Sequence, residues 1–427
     1  MTPIILTTRL GEIMAVMAAD LERMAGWFAG PKAENGEWFG SIIASILADY
    51  YAWRKNYFPE DGAIVGSKER RESEPFRDEF EDRLMELLAR LKADYPFQSP
   101  RYAAHMVAEQ ALPAIAGYFA AMLYNPNNVS SEAAPVTVRL ELEACRLISR
   151  MLGYGEESWS HLTGGGTVAN LEALWIARSV KYLPLVTQDM KRAIPLKADD
   201  LSTDALLRVS PTQALIEFSK CFEALADPQT AISAYLASPH NIAVVGTAAI
   251  SRLTNRDPVV IVPETAHYCF DKAIEVLGIG RNALRKVAVD SDYRMRIDEL
   301  ERQLEECETQ HEDVIAVVAV VGTTEEGAVD PVDKILALRE RRETAGKGSF
   351  WVHADAAYGG YLRTVTTPSR MGLGLPKSTV SLNGNVRDIE LHLPEHYACD
   401  ALERLGECDS ITIDPHKLGY VPYPAGA

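Results

Sequence analysis

The chain has 427 residues, 47% of them hydrophobic and 24% charged, a balance that excludes a disordered polymer and suits a large globular body with smaller appendages. Sixty acidic against 43 basic residues leave a formal charge of −17, which disfavours nucleic acid and anionic lipid as partners and favours small-molecule work. Cys145, Cys221, Cys269, Cys307, Cys399 and Cys408 form no CxxC pair and no regular framework, so no metal centre and no disulfide scaffold is expected. No stretch reaches the ~18 consecutive apolar residues of a membrane span, and residues 1–20 contain no uninterrupted secretory core, so a soluble, cytoplasmic protein is expected.

Residues 1–100 read as a helical N-terminal segment, because Met14, Met17, Leu21 and Met24, and later Phe80, Leu84, Leu87, Leu88 and Leu91, recur at helical spacing. Residues 101–427 read as one large domain. It opens with a turn cluster at Asn125, Pro126, Asn127 and Asn128, followed by an amphipathic helix over 138–152 and the glycine run Gly164, Gly165, Gly166. The charged, weakly periodic stretch 181–235 reads as an insertion. Beyond it, strand-like runs at 242–245, 259–262 and 315–321 alternate with helical patterns at 271–277 and 297–304, and further strand candidates stand at 350–353 and 411–413. Such alternation predicts an α/β fold with a mainly parallel sheet flanked by helices.

Four local patterns carry chemistry. Thr163, three glycines and Thr167 lead into a helical pattern, and a glycine turn opening a helix aims free N–H groups and the positive dipole end at one point, which suits a phosphate. No lysine follows these glycines, so the pattern is not a nucleotide P-loop. Asp355 ends an apolar strand and precedes small residues that would let a flat ring approach the backbone; its carboxylate suits a protonated ring nitrogen, although a helix cap is the simpler reading of it alone. His267 follows the 259–262 run. Lys417, beside His416, follows another short strand, and a lysine in a buried polar site can form an imine with an aldehyde.

Taken together and in this order, these patterns resemble the fold-type I pyridoxal-phosphate (PLP) enzymes. Within them the chain is most similar to the group II amino-acid decarboxylases of the bacterial tyrosine decarboxylase type, on the stretches 99–106, 125–137 and 414–426. The resemblance covers roughly residues 80–427 and implies a PLP-binding large domain with the transferase-like fold. It implies that Lys417 is the imine-forming lysine, Asp355 the partner of the pyridine nitrogen, His267 the ring stacked on the cofactor and Ala357 the contact on its other face. Gly166 and Thr167 would hold the phosphate, with His416 nearby and Thr324 at the cofactor's edge, and Tyr102 and His105 would contact substrate.

The implied reaction is decarboxylation of an L-amino acid, tyrosine to tyramine and CO2, through a Schiff base at Lys417 and a quinonoid. A decarboxylase for acidic amino acids, with Arg101 or Arg139 in the pocket, a carbon–carbon lyase and a catalytically silent PLP binder are the alternatives. Family members are dimers, so a homodimer is implied. The interval 373–393 reads as a local insertion. The chain ends ten residues beyond Lys417, where family members continue into a small C-terminal domain and a mobile loop. That domain is therefore expected to be absent here, with weak PLP binding and slow turnover in the lone chain, or a complementing C-terminal fragment, as the consequence.

Overall fold

A computed structural model describes residues 24, 26–194, 196, 201–225, 227–366, 378–382, 385–389 and 395–427. The periodicity of Met14, Met17 and Leu21 lies outside the described residues, as does most of the interval 373–393. The chain divides into two compact units, residues 1–134 with 420–422, and residues 135–419 with 423–427.

The first unit is helical: α1 (Gly36–Tyr57), α2 (Ser67–Glu72), α3 (Glu74–Leu91) and α4 (Leu112–Tyr124). Phe80, Leu84, Leu87, Leu88 and Leu91 do lie on one helix, α3, yet no residue of α1, α2 or α3 is buried. The α1 rings of Tyr50 and Trp53 meet Tyr124 of α4 at centroid distances of 5.1 and 5.3 Å. The asparagine turn is the C-cap of α4: Asn125 takes a left-handed φ of 46° and its N–H donates to the Ala121 carbonyl at 2.8 Å.

The second unit begins with α5 (Thr137–Leu152) and the 28-residue α6 (Gly166–Ala193). Short helices α7 (Thr203–Leu207), α8 (Pro211–Glu223) and α9 (Pro228–Ala237) follow. Val186, Met190 and Ile194 at the end of α6 pack with Cys221 and Ala231 into a small core of their own. The run 242–245, expected as a strand, is instead the one-turn helix α10 (Ile242–Val245), preceding α11 (Thr247–Thr254). The physical reason is local: the Asn241 side chain accepts the Ala243 N–H at 3.1 Å, and Gly246, at φ 78°, stops the turn.

From there strands and helices alternate as expected: β1 (Asp257–Pro263), α12 (Cys269–Val276), β2 (Leu284–Val287), α13 (Ile297–Thr309), β3 (Glu312–Val320), α14 (Val332–Thr344) and β4 (Trp351–Asp355). After these come the antiparallel hairpin β5 (Ser378–Leu382) and β6 (Asn385–Ile389), then α15 (His396–Glu403) and β7 (Ser410–Thr412). The five-stranded sheet runs β2-β1-β3-β4-β7, parallel throughout.

Alternate strand residues enter opposite cores, so both faces of the sheet are covered, as parallel sheets require. Val259, Ile261, Val317, Val352 and Ala354 pack with α13, α14 and α15, whereas Val260, Val262, Ala316 and Val318 pack with α6 and α12. Because every strand points the same way, the loops after β1, β3, β4 and β7 emerge along one edge, where ligands bind in open α/β sheets. All six cysteines are buried and outside any disulfide, and no described helix is long and apolar enough to cross a membrane.

Candidate active site

Lys417 follows β7 in a tight turn whose Lys417 N–H donates to the Asp414 carbonyl at 3.0 Å. That turn brings the Lys417 ammonium within 3.1 Å of the Asp414 carboxylate, and leaves the two side chains only 15% and 4% exposed. His416 lies 3.6 Å from the same carboxylate; its Nδ1 meets the Ala425 carbonyl, and its ring packs on Tyr423 at 3.9 Å. The second Asp414 oxygen, Oδ1, is buried without a hydrogen-bond partner.

The glycine run is stapled to this turn. Thr163 and Gly426 exchange backbone hydrogen bonds of 2.7 and 3.0 Å, and Gly165 sits at φ 142°, a conformation glycine tolerates best. Gly166 starts α6 directly against Asp414: a Cβ there would stand 2.9 Å from the carboxylate and 3.2 Å from the Ala357 Cβ, so only glycine fits without displacement. The first N–H groups of a helix have no acceptor within it, and here they open beside exposed Thr167.

Asp355 is the last residue of β4 and is buried. Its Oδ2 accepts from Asn170 Nδ2 at 3.0 Å and its Oδ1 from the Ala357 N–H at 3.3 Å. Burial raises its pKa, while the Ala357 N–H, the Lys417 charge and the Asn170 amide all pull the other way. His267, four residues beyond β1, is half-buried and accepts the Cys269 N–H at Nδ1 (3.2 Å); burial first and the Lys417 charge second push its pKa down, favouring a neutral ring. Thr324 is exposed in the loop after β3, whereas the buried neighbour Thr323 closes that loop by accepting the Ala328 N–H at 3.0 Å.

The structure therefore gathers Lys417, His416, Gly166, Ala357, Asp355 and His267 around the edge of one sheet. Tyr102 and His105 belong to the other unit, where the Tyr102 hydroxyl meets His105 Nδ1 and the two rings stack at 6.0 Å. Two residues at the site went without a role in the sequence reading. Asp414 could have been found from its i,i+3 spacing to Lys417 in a turn, and Asn170 from its i,i+4 spacing to Gly166, which puts it on the same helix face.

A group bearing an aldehyde, a phosphate and a protonated pyridine needs an amine, an N–H-rich cradle and a buried carboxylate on one patch. Lys417, the start of α6 and Asp355 fit that demand, and the unpartnered Asp414 oxygen is an additional polar atom facing it.

Residues 241–384 match the pyridoxal-dependent decarboxylase conserved domain. The chain is 36% identical over 411 residues to an L-tyrosine decarboxylase of Enterococcus faecium and 35% identical over 408 residues to one of Levilactobacillus brevis, in each case over 93% of its own length. It spans 63% and 62% of the length of those two proteins. Its fold is similar to the crystal structure of the glutamate decarboxylase domain of a diaminobutyrate-pyruvate transaminase and L-2,4-diaminobutyrate decarboxylase from Vibrio parahaemolyticus, with a TM-score of 0.54 at 18% identity, covering 96% of this chain and 70% of that one. The chain thus matches the pyridoxal-dependent decarboxylase conserved domain over residues 241–384 and is similar to L-tyrosine decarboxylases over most of its own length.

Proposed function

We propose that the chain binds PLP and decarboxylates an L-amino acid, tyrosine to tyramine. The observation that carries this reading is the convergence of a half-buried lysine, a buried carboxylate and a glycine-opened helix at the carboxyl ends of parallel strands, in a chain resembling L-tyrosine decarboxylases.

When bound, PLP supplies an electron sink for the carbanion left as CO2 departs. Lys417 would supply the amine that holds its aldehyde. Asp355 faces the ring nitrogen and, ionised, keeps a proton there through a charge-assisted hydrogen bond. The N–H groups of Gly166 and Thr167 hold the phosphate, with His416 beside them. His267, neutral and half-buried, covers one ring face; small Ala357 allows contact on the other, and Thr324 stands at the edge. The Lys417 ammonium, 3.1 Å from the Asp414 carboxylate, would hold a proton beside the cofactor.

A second copy of the chain is the proposed partner. Trp38, Tyr51, Trp53 and Tyr57 on α1 are exposed, and helices with no buried residue gain most from packing against another copy. Six buried cysteines outside any disulfide suit the reducing cytoplasm.

Adding PLP to the purified chain, then L-tyrosine or L-aspartate, and assaying tyramine and β-alanine tests the reading. Tyramine with a visible cofactor band supports it. β-Alanine instead would reassign the substrate, and a band with neither amine would mark a silent PLP binder.

A further inference from the structure

Behind Asp355 lies a largely buried chain of polar groups that the proposed roles leave unused. Asn170 on α6 donates from Nδ2 to Asp355 Oδ2 (3.0 Å) and to Cys269 Sγ (3.4 Å), so its Oδ1 must face the other way, and it does so 2.9 Å from His353 Nε2. An amide oxygen only accepts, which makes His353 the donor at Nε2. Burial holds the His353 pKa down at about 4, so the imidazole is neutral and its Nδ1 carries no proton. Nδ1 then accepts from the Ser410 hydroxyl at 2.8 Å, and that hydroxyl oxygen accepts from Trp351 Nε1–H at 2.7 Å. These side-chain hydrogen bonds thus run in one direction, from indole to carboxylate, across β4, β7 and α6.

We infer that Asn170, oriented by His353 and Ser410, is the positioning residue that holds the Asp355 carboxylate toward the cofactor's ring nitrogen. An asparagine amide is nearly symmetric in shape, and only its hydrogen-bond partners choose which end faces Asp355. Turned over, its oxygen would confront the carboxylate oxygen, swapping an attraction for a repulsion at a buried site. His353 forbids that rotation, because its Nε2–H would then face an NH2 group. The fixed tautomer of one buried histidine therefore controls the carboxylate two residues along the same strand. The inference rests on the reading of Asp355 as the ring-nitrogen partner.

The test uses the full chain, two His353 variants and two ligands: PLP, and its analogue with C–H replacing the pyridine nitrogen. His353→Leu is expected to weaken PLP binding about tenfold, the equivalent of one lost buried hydrogen bond. His353→Gln, whose amide can still donate to Asn170, restores affinity to within about threefold of wild type on the same scale. Affinity for the carbon analogue should be alike in wild type and His353→Leu. Histidine 15N NMR of the cofactor-free wild type, which needs no substitution, should report an Nε2–H tautomer for His353.

A purely structural role would lower the melting temperature of His353→Leu while leaving the folded protein's PLP affinity as in wild type, and that result overturns the inference. So does an equal loss for both ligands, or an Nδ1–H tautomer. Wild-type chain that gives no visible band with PLP sinks the reading of the site itself, a failure separable from that of the network because it needs no variant.

Discussion

Lys417 and Asp414 form an ion pair at 3.1 Å on one turn after β7, with the carboxylate almost fully buried and its second oxygen unpartnered. The pair keeps the ammonium tethered where the start of α6, His416 and Asp355 converge. Removing the anion strands a mostly buried cation, whereas an amide of the same shape keeps a hydrogen-bond acceptor in place. Asp414→Ala should therefore destabilise the cofactor-free chain by about 2 kcal/mol, and Asp414→Asn by about half of that. Urea midpoints of the two variants check the order; equal midpoints for wild type and Asp414→Ala would remove the pair from the account.

Gly166→Ala tests the cradle. Its methyl would meet the buried Asp414 carboxylate at 2.9 Å and the partly buried Ala357 methyl at 3.2 Å, and overpacking of this kind costs about 1–3 kcal/mol. The strain falls where the phosphate is proposed to bind, so PLP affinity measured by equilibrium dialysis should drop at least about tenfold. Gly155→Ala, at a glycine with open space around it, should leave that affinity unchanged.

His353 sets an acid limit. Its folded pKa of about 4 lies below the ordinary histidine value of 6.5, so the unfolded chain takes up the proton first. Stability from this group is present above pH 6.5 and is lost as pH falls toward 4, amounting to on the order of 3 kcal/mol across that window. Urea midpoints between pH 7 and 4 should fall less steeply in His353→Gln than in wild type; parallel curves would mean that another group sets the limit.

Much of this architecture is legible in the sequence because it depends on short-range signals. Runs such as 259–262 and 315–321 are apolar on both faces, as central parallel strands must be, and Asp355 and Lys417 follow such runs. The run 242–245 misled because four apolar residues fit a buried strand and a helical turn equally well, and the decision fell to Asn241 and Gly246 at its ends. Spacing on α3 correctly indicates a helix but says nothing of burial, and its apolar side chains remain exposed. Asn170 escaped notice for a deeper reason: its partners Asp355 and His353 lie more than 180 positions away, and only the folded sheet brings them together.

The central claim is that Lys417 is the amine that holds PLP. Incubating the chain with PLP, reducing with borohydride and mapping the digest by mass spectrometry tests it directly. The account predicts a single reduced adduct on the peptide containing Lys417 and none in Lys417→Ala. An adduct on another lysine such as Lys272, or equal labelling of the variant, would contradict it.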